Sequence, residues 1–493
     1  MKTCLVVLGL LAFTGSLAGA PAAGPTRHLF LDPAFVREAE GAALVVNPPK
    51  SSEIVIRGDK PWEEFMISFY LSVVDEGEKL RMWYICRDKD HKGNVAYAES
   101  VDGVNWVKPE LGVVDYRGSR ANSLVGLRNF GGTVFRDDHT TNLQERYVYV
   151  CTVGGGGGGI YRFTSPDGFN WKRDEQPILP FEADSQNVTF WDTRLDKYVT
   201  FLRGWNPTKQ AIAAGRKVVR FESDHLDRPS GIVPARPNPR RAVKGKVPDP
   251  FVRDELPDAL VCDEFDPTDT DIYTNAIQPY PLDPSWYVGF PAFYRHAIGS
   301  PLVNDGWTEI QFVGSRDGKK WERYNREPYL KPGFAGSESA SMVYIGSGLV
   351  VRGDEIWQYG TGFRTTHGAV RALQEPGDGT IFRHVHRVDG FVSLDFASKG
   401  GRAVTAPVQV TGAKLWLNLD GGALGDLRVG LRDKAGNPIA GFTEGDCDML
   451  LGNSTHAVVT WKGMGDLSAL AKDGEVSVCF SGRHTKLYSF RFE

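Results

Sequence analysis

Four acidic residues stand at the heads of strand-like runs that are far apart in the chain. Glu63 follows Pro61-Trp62, ahead of the Arg81-Met82-Trp83-Tyr84 run. Asp184 opens Asp184-Ser185-Gln186-Asn187-Val188, Asp271 opens Asp271-Ile272-Tyr273-Thr274-Asn275, and Glu338 opens Glu338-Ser339-Ala340-Ser341-Met342. Carboxylates gathered from separate segments repel one another, which pushes at least one toward its protonated form beside an ionised neighbour. That division of labour suits a reaction in which one group protonates a leaving oxygen and another acts from the opposite side. The plainer role for each is to cap a strand or bond a turn. Nearby residue types match a polyhydroxylated ligand. Trp62, Trp205 and Tyr273 are candidates to stack on an apolar ring face. Gln186, Asn187 and Asn275 are candidates to bond hydroxyls. Arg203, Arg216 and Arg295 are candidates to clamp an acidic group through paired N–H bonds. His296 and His367 are weaker candidates for a sugar hydroxyl or a central ion. No CxxC or HExxH occurs, so no metal ligand is assigned and no cofactor is expected.

The elements that must bring these side chains together are read from a repeat. Ser-x-Asp-Gly-x-x-Trp occurs at Ser100–Trp106, Ser165–Trp171 and Ser315–Trp321, with a degenerate copy at Ser223-Asp224-His225-Leu226. Asp-Gly is a hairpin-turn pair, since glycine takes the positive φ and the aspartate bonds back to the turn. A turn-and-aromatic signature recurring every few tens of residues marks propeller blades. Counting strand-rich runs gives five units, so an all-β fold is expected, with a five-bladed β-propeller over residues 28–385. The four carboxylates then fall at the starts of innermost strands. Blade two has only Gly131-Gly132 there, which would leave room for a ligand. From Asp389 seven short alternating runs follow closely, as in an antiparallel β-sandwich over residues 389–493. The run Gly154–Gly159 reads as a hairpin rather than a phosphate loop, because no helix follows it.

Composition agrees. Glycine makes up 56 of 493 residues, above the usual share of roughly 7% and in keeping with many tight turns. The net charge of −4 gives no reason to expect nucleic acid as a partner. Residues 1–23 read as a signal peptide, with Lys2, an apolar core from Leu5 to Leu17 and a small-residue cleavage zone, so a secreted or periplasmic location is expected. No stretch reaches the ~20 apolar residues of a membrane span. Cys86, Cys151, Cys262, Cys447 and Cys479 are odd in number and widely spaced, which argues against a disulfide framework, though Cys447 and Cys479 share a segment. The basic insertion with Arg236, Arg240, Arg241, Lys244 and Lys246 reads as a solvated loop.

The Pro61-Trp62-Glu63 start, the Arg81-Met82-Trp83-Tyr84 strand, the repeated hairpins and the trailing sandwich resemble the five-bladed glycoside hydrolases of families 32, 43, 62 and 68. In the family 43 pattern the resemblance implies that Glu63 is the base, Asp184 the orienting carboxylate and Asp271 the general acid, with an inverting mechanism. Glutamate then replaces aspartate in blade one, and aspartate replaces glutamate in blade four. The Trp-x-Asn-Asp-Pro-Asn nucleophile motif of family 32 is absent, and Asp32 and Glu64 are lesser candidates for the blade-one role. The expected function is an exo-acting glycoside hydrolase on an oligo- or polysaccharide. Two alternatives stand beside it. A non-catalytic carbohydrate-binding or adhesion protein would leave the carboxylates scattered or salt-bridged. A sialidase-type enzyme would need Arg203, Arg216 and Arg295 to converge beside a tyrosine.

Overall fold

The computed structural model describes residues 26–127, 131–154, 159–206, 215–232, 255–372, 376–472 and 474–493. The leader expected at residues 1–23 and the basic stretch from Arg236 to Lys246 lie outside them. The all-β expectation holds: nearly every element is a strand, and among the described residues no helix is long and apolar enough to cross a membrane.

Five sheets follow one another along the chain. The first contains Met66–Asp75, Leu80–Arg87, Gly93–Ser100 and Leu124–Val125, and the second Thr133–Arg136, Tyr147–Val153, Gly159–Ser165 and Lys172–Arg173. The third contains Val188–Asp192, Lys197–Trp205, Arg216–Ser223 and Asp258–Leu260. The fourth contains Thr270–Thr274, Ala292–His296, Gly306–Gln311 and Pro328–Leu330, beside a small ladder of Gln278–Tyr280, Asp283–Gly289 and Val313–Ser315. The fifth contains Met342–Ile345, Glu355–Phe363 and Thr380–Arg387, and its outer place is taken by Ser51–Ile56 from ahead of the first sheet. The chain thus joins its own beginning to the last of the five sheets.

Neighbouring sheets touch in cyclic order, the fifth meeting the first, and hydrogen bonds stitch them together. Val134 N–H donates to Ser72 Oγ at 2.9 Å, Asn187 N–H to the Gly131 carbonyl at 2.6 Å, and Ser347 N–H to the Leu71 carbonyl at 3.0 Å. Gly131 explains the glycines of the second sheet. Its φ is +78°, and an added Cβ would lie 2.2 Å from the Ser185 carbonyl. Gly131 admits a neighbouring backbone and Gly132 the Tyr149 ring, so they do not leave room for a ligand.

Each full copy of the repeat docks its hairpin on the preceding sheet. Asp102, Asp167 and Asp317 accept hydrogen bonds from the amides two and three residues on, and glycine follows at positive φ. The carbonyl of Gly168 then accepts from Trp83 Nε1 at 2.8 Å, and that of Gly103 from the Tyr359 hydroxyl at 2.9 Å. Arg220 of the third sheet donates to the Asp317 carbonyl. The motif is therefore a clamp between sheets and carries no chemistry.

After Arg387 the chain enters two six-stranded sheets. One pairs Ala42–Val46, Val392–Phe396, Lys486–Phe492, Leu415–Asp420 and Asn453–Val458, with Arg27–Leu29 added at Lys486–Phe492. The other contains Val36–Glu40, Gly401–Thr405, Glu475–Arg483, Asp426–Arg432 and Leu450–Leu451, with Val408–Gln409 added. Residues of both sheets share one apolar core that includes Leu417, Phe490, Val429 and Phe480. The sequence division placed residues from 28 onward in the first unit. The structure corrects this, because three strands within residues 27–46 pair with the C-terminal sheets and Phe30 lies in their core. Their apolar side chains pack there, so the segment serves both units. All five cysteines of the described residues are free thiols, so Cys447 and Cys479 do not pair.

Candidate functional site

Asp184 and Asp271 are brought to one cluster, and two arginines of the third sheet bring them there. Arg203 and Trp205 stand two residues apart on Lys197–Trp205, so they share a face, and Arg216 is the cross-strand partner of Trp205. In the fourth sheet Asp271 and Tyr273 share a face of Thr270–Thr274, as do Tyr294 and His296 on the neighbouring strand. The two guanidinium carbons lie over the Tyr273 ring, 4.5 Å away for Arg203 and 5.0 Å for Arg216.

Each arginine is committed to one carboxylate. Arg203 Nη1 donates to Asp184 Oδ1 at 2.5 Å and Nη2 to the Tyr273 carbonyl at 2.7 Å. Arg216 Nη1 donates to both oxygens of Asp271 at 3.2 and 3.0 Å, and Nη2 to Asn304 Oδ1 at 2.8 Å. His296 Nε2 stands 3.1 Å from the same carboxylate. The carboxylates differ in access: the Asp184 side chain is 54% exposed and that of Asp271 only 1%. Burial opposes the charge on Arg203, but Asp184, Tyr273 and Tyr70 outweigh it and hold the guanidinium above its ordinary pKa. Beneath the arginines, the Tyr273 hydroxyl donates to His367 Nε2 at 2.9 Å, while His367 Nδ1 donates to the Asn304 carbonyl at 2.9 Å.

The remaining candidates lie elsewhere, each for a physical reason. Glu63 is fully buried at the end of the short turn Pro61–Glu63. Its oxygens accept from the Asp59 and Lys60 amides at 3.0 and 3.2 Å, from the Tyr84 hydroxyl, and from Lys108 Nζ at 2.7 Å. It is a staple with no oxygen left for a substrate. Trp62 beside it is buried in the apolar core of the first sheet, edge-on to Tyr116 at 5.8 Å. Glu338 pairs with Arg57, which follows the outer strand of the fifth sheet, so it is drawn away from the other carboxylates. Glu64 is exposed, and Asp32 caps the turn Pro33–Phe35 in the segment that joins the C-terminal sheets.

Gln186 and Asn275 are spent on the ring itself. Gln186 Nε2 donates to the Ile345 carbonyl at 3.0 Å and its Oε1 accepts from Ala276 N–H at 3.0 Å, which joins the third, fourth and fifth sheets across the centre. Asn275 Nδ2 donates to the Gln186 carbonyl at 3.0 Å. Asn187 Nδ2 donates to the Ala183 carbonyl at 3.3 Å, and its Oδ1 is buried without a partner. Arg295 points to the opposite face from His296, pairs with Asp269 and is 67% exposed. Two arginines therefore flank Tyr273 and the third does not, so the convergence required of a sialidase-type site is not met. Each of the four carboxylates has a basic partner, which removes the mutual repulsion expected to split their protonation states. Sequence reasoning passes over Tyr294 and Asn304. Tyr294 carries a signal, its spacing of two from His296; Asn304 lies in a turn at φ +53° and carries none.

No family model matches this chain, and no curated protein matches it. Solved structures do. One described as a glycoside hydrolase is 14% identical over 69% of this chain and 92% of that chain, with a TM-score of 0.43. A thermostable family-43 glycoside hydrolase is 10% identical over 69% of this chain and 91% of its own, with a TM-score of 0.42. A family-43 arabinoxylan arabinofuranohydrolase from Bacillus subtilis is 11% identical over 88% and 97%, with a TM-score of 0.37. Identities this low say nothing of the substrate of this chain.

Proposed function

We propose that the protein is a secreted, exo-acting glycoside hydrolase in which the five sheets are the blades of a propeller and the C-terminal pair is a buttressing β-sandwich. The observation that carries this reading is the meeting of two arginine–carboxylate pairs, Arg203–Asp184 and Arg216–Asp271, over Tyr273. Asp184 has the exposure to reach a substrate and is the proposed proton-transferring group. Asp271, held by Arg216 and His296 away from solvent, orients the cluster and fixes its local field. The roles differ from those implied by the family 43 pattern, because Glu63 is out of reach and Asp184 is the accessible acid.

Non-catalytic carbohydrate binding is favoured by one specific observation, that all four candidate carboxylates are salt-bridged. Incubating the purified full-length protein with a panel of plant, algal and host glycans separates the two. New reducing ends, lost in Asp184→Asn and Asp271→Asn, support the enzyme. Glycan binding without any cleavage supports the binding protein. Neither binding nor cleavage across the panel contradicts both.

A further inference from the structure

The fourth sheet has a pocket on the face turned away from His296. Its volume is about 200 Å³, and Thr270, Phe293, Arg295, Trp307, Glu309 and Gln311 are among its lining residues. The pleat explains the separation. Thr270, Arg295 and Trp307 form one cross-strand row and Phe293 pairs with Glu309, while Asp271 and His296 alternate with them to the other side.

The pocket has a built polar wall and one bare aromatic ring. Asp266 accepts two hydrogen bonds from Arg323, at 2.7 and 2.6 Å, with both side chains buried. Arg323 Nη2 donates to Gln311 Oε1 at 2.9 Å, and Glu309 stands two residues from Gln311 on Gly306–Gln311, so both face the pocket. This chain fixes the Gln311 amide at the pocket wall, with Glu309 beside it. Burial pushes the Glu309 carboxyl above its usual range, against the pull of Lys331. Trp307 stands at the rim with 43% of its surface exposed, although most large aromatic side chains of the described residues are buried. A flat ring open to solvent beside a carboxyl and a fixed amide is matched by a ligand with an apolar face and hydroxyl edges. At ~30 Å³ per water the pocket holds roughly seven waters, the room of one sugar ring.

We propose that this pocket binds one sugar residue of a glycan, stacked on Trp307 with its hydroxyls on Glu309 and Gln311, as a subsite separate from the Asp184 cluster. The class of ligand rests on the carbohydrate reading above. Because Thr270–Thr274 and Ala292–His296 carry the Asp271 cluster on one face and part of this pocket on the other, a bound polymer is anchored on the sheet that helps to build the proposed site.

The test is affinity electrophoresis of the full-length protein through gels containing a linear arabinan, a xylan, a homogalacturonan or a yeast mannan, with hydrolysis of each assayed in parallel. A polysaccharide that retards the wild type is expected to bind Trp307→Ala at least tenfold more weakly and Trp307→Tyr nearly as well, with cleavage of short oligosaccharides unchanged. Glu309→Ala serves as a second variant should Trp307→Ala prove unstable. Equal retardation of the wild type and both alanine variants overturns the proposal, as does hydrolysis with no retardation on any gel. Absence of both hydrolysis and retardation counts instead against the carbohydrate reading itself.

Discussion

Lys108, Tyr84 and two backbone amides occupy the oxygens of Glu63, whereas Asp184 gives one oxygen to Arg203 and exposes more than half of its surface. Residue type and position at the head of a first strand are the same for both; the partners decide what each can do. Removing one member of a buried ion pair leaves the other charge uncompensated, at a cost of about 3–5 kcal/mol. Glu63→Gln keeps its acceptor oxygen, so its loss is expected at the low end, on the order of 3 kcal/mol. Urea unfolding followed by tryptophan fluorescence checks this. The midpoint falls while hydrolysis by the folded fraction is unchanged.

Among the elements, the hairpins do the positioning. Gly168 sits at φ +79°, and a Cβ there would lie 2.6 Å from the Trp83 ring of the sheet it docks on. Gly77 has a similar φ of +84° with nothing within 4 Å. Gly77→Ala therefore pays backbone strain alone, roughly 1–2 kcal/mol, while Gly168→Ala adds an overpacking cost of about 1–3 kcal/mol. Thermal unfolding of the two variants should rank them in that order, and equal midpoints would mean that the hairpin does not bear on its neighbour. These hairpins were legible in the sequence, because turn chemistry is local: Ser, Asp, Gly and Trp at fixed offsets dictate it. Asp184, Asp271 and Tyr273 could be named as polar residues near strand starts, and Arg203 and Arg216 as residue types able to clamp an acidic group. Their pairing could not. That Lys108 folds back on Glu63 from 45 residues away, or that Gln186 spans the ring to Ile345, depends on contacts distant in sequence that no local pattern encodes.

For the whole molecule, the N-terminal segment couples the two units. Ser51–Ile56 completes the fifth sheet, and Val36–Glu40 and Ala42–Val46 pair in the two C-terminal sheets. The sandwich pattern was read from Asp389 onward because the seven later runs alternate clearly, whereas residues 27–46 precede them by more than 300 positions. A fragment of residues 389–493 lacks those strands and the fully buried Phe30, so it should show no cooperative thermal transition. Adding residues 26–46 as a separate peptide should restore one. A cooperative melt of the fragment alone would show that the N-terminal strands are dispensable decoration.

Proton transfer by Asp184 at the cluster over Tyr273 carries the proposed function. It is tested most directly by the kcat of Asp184→Asn on the best-cleaved glycan of the panel, with Glu63→Gln measured alongside. A positioned proton-transfer group contributes roughly 10²–10⁴-fold. A loss of that size is expected for the folded fraction of Asp184→Asn, with a lowered thermal midpoint because Arg203 stays buried without its carboxylate, and full kcat for folded Glu63→Gln. Wild-type kcat in Asp184→Asn, or loss of catalysis in a folded Glu63→Gln, would contradict it.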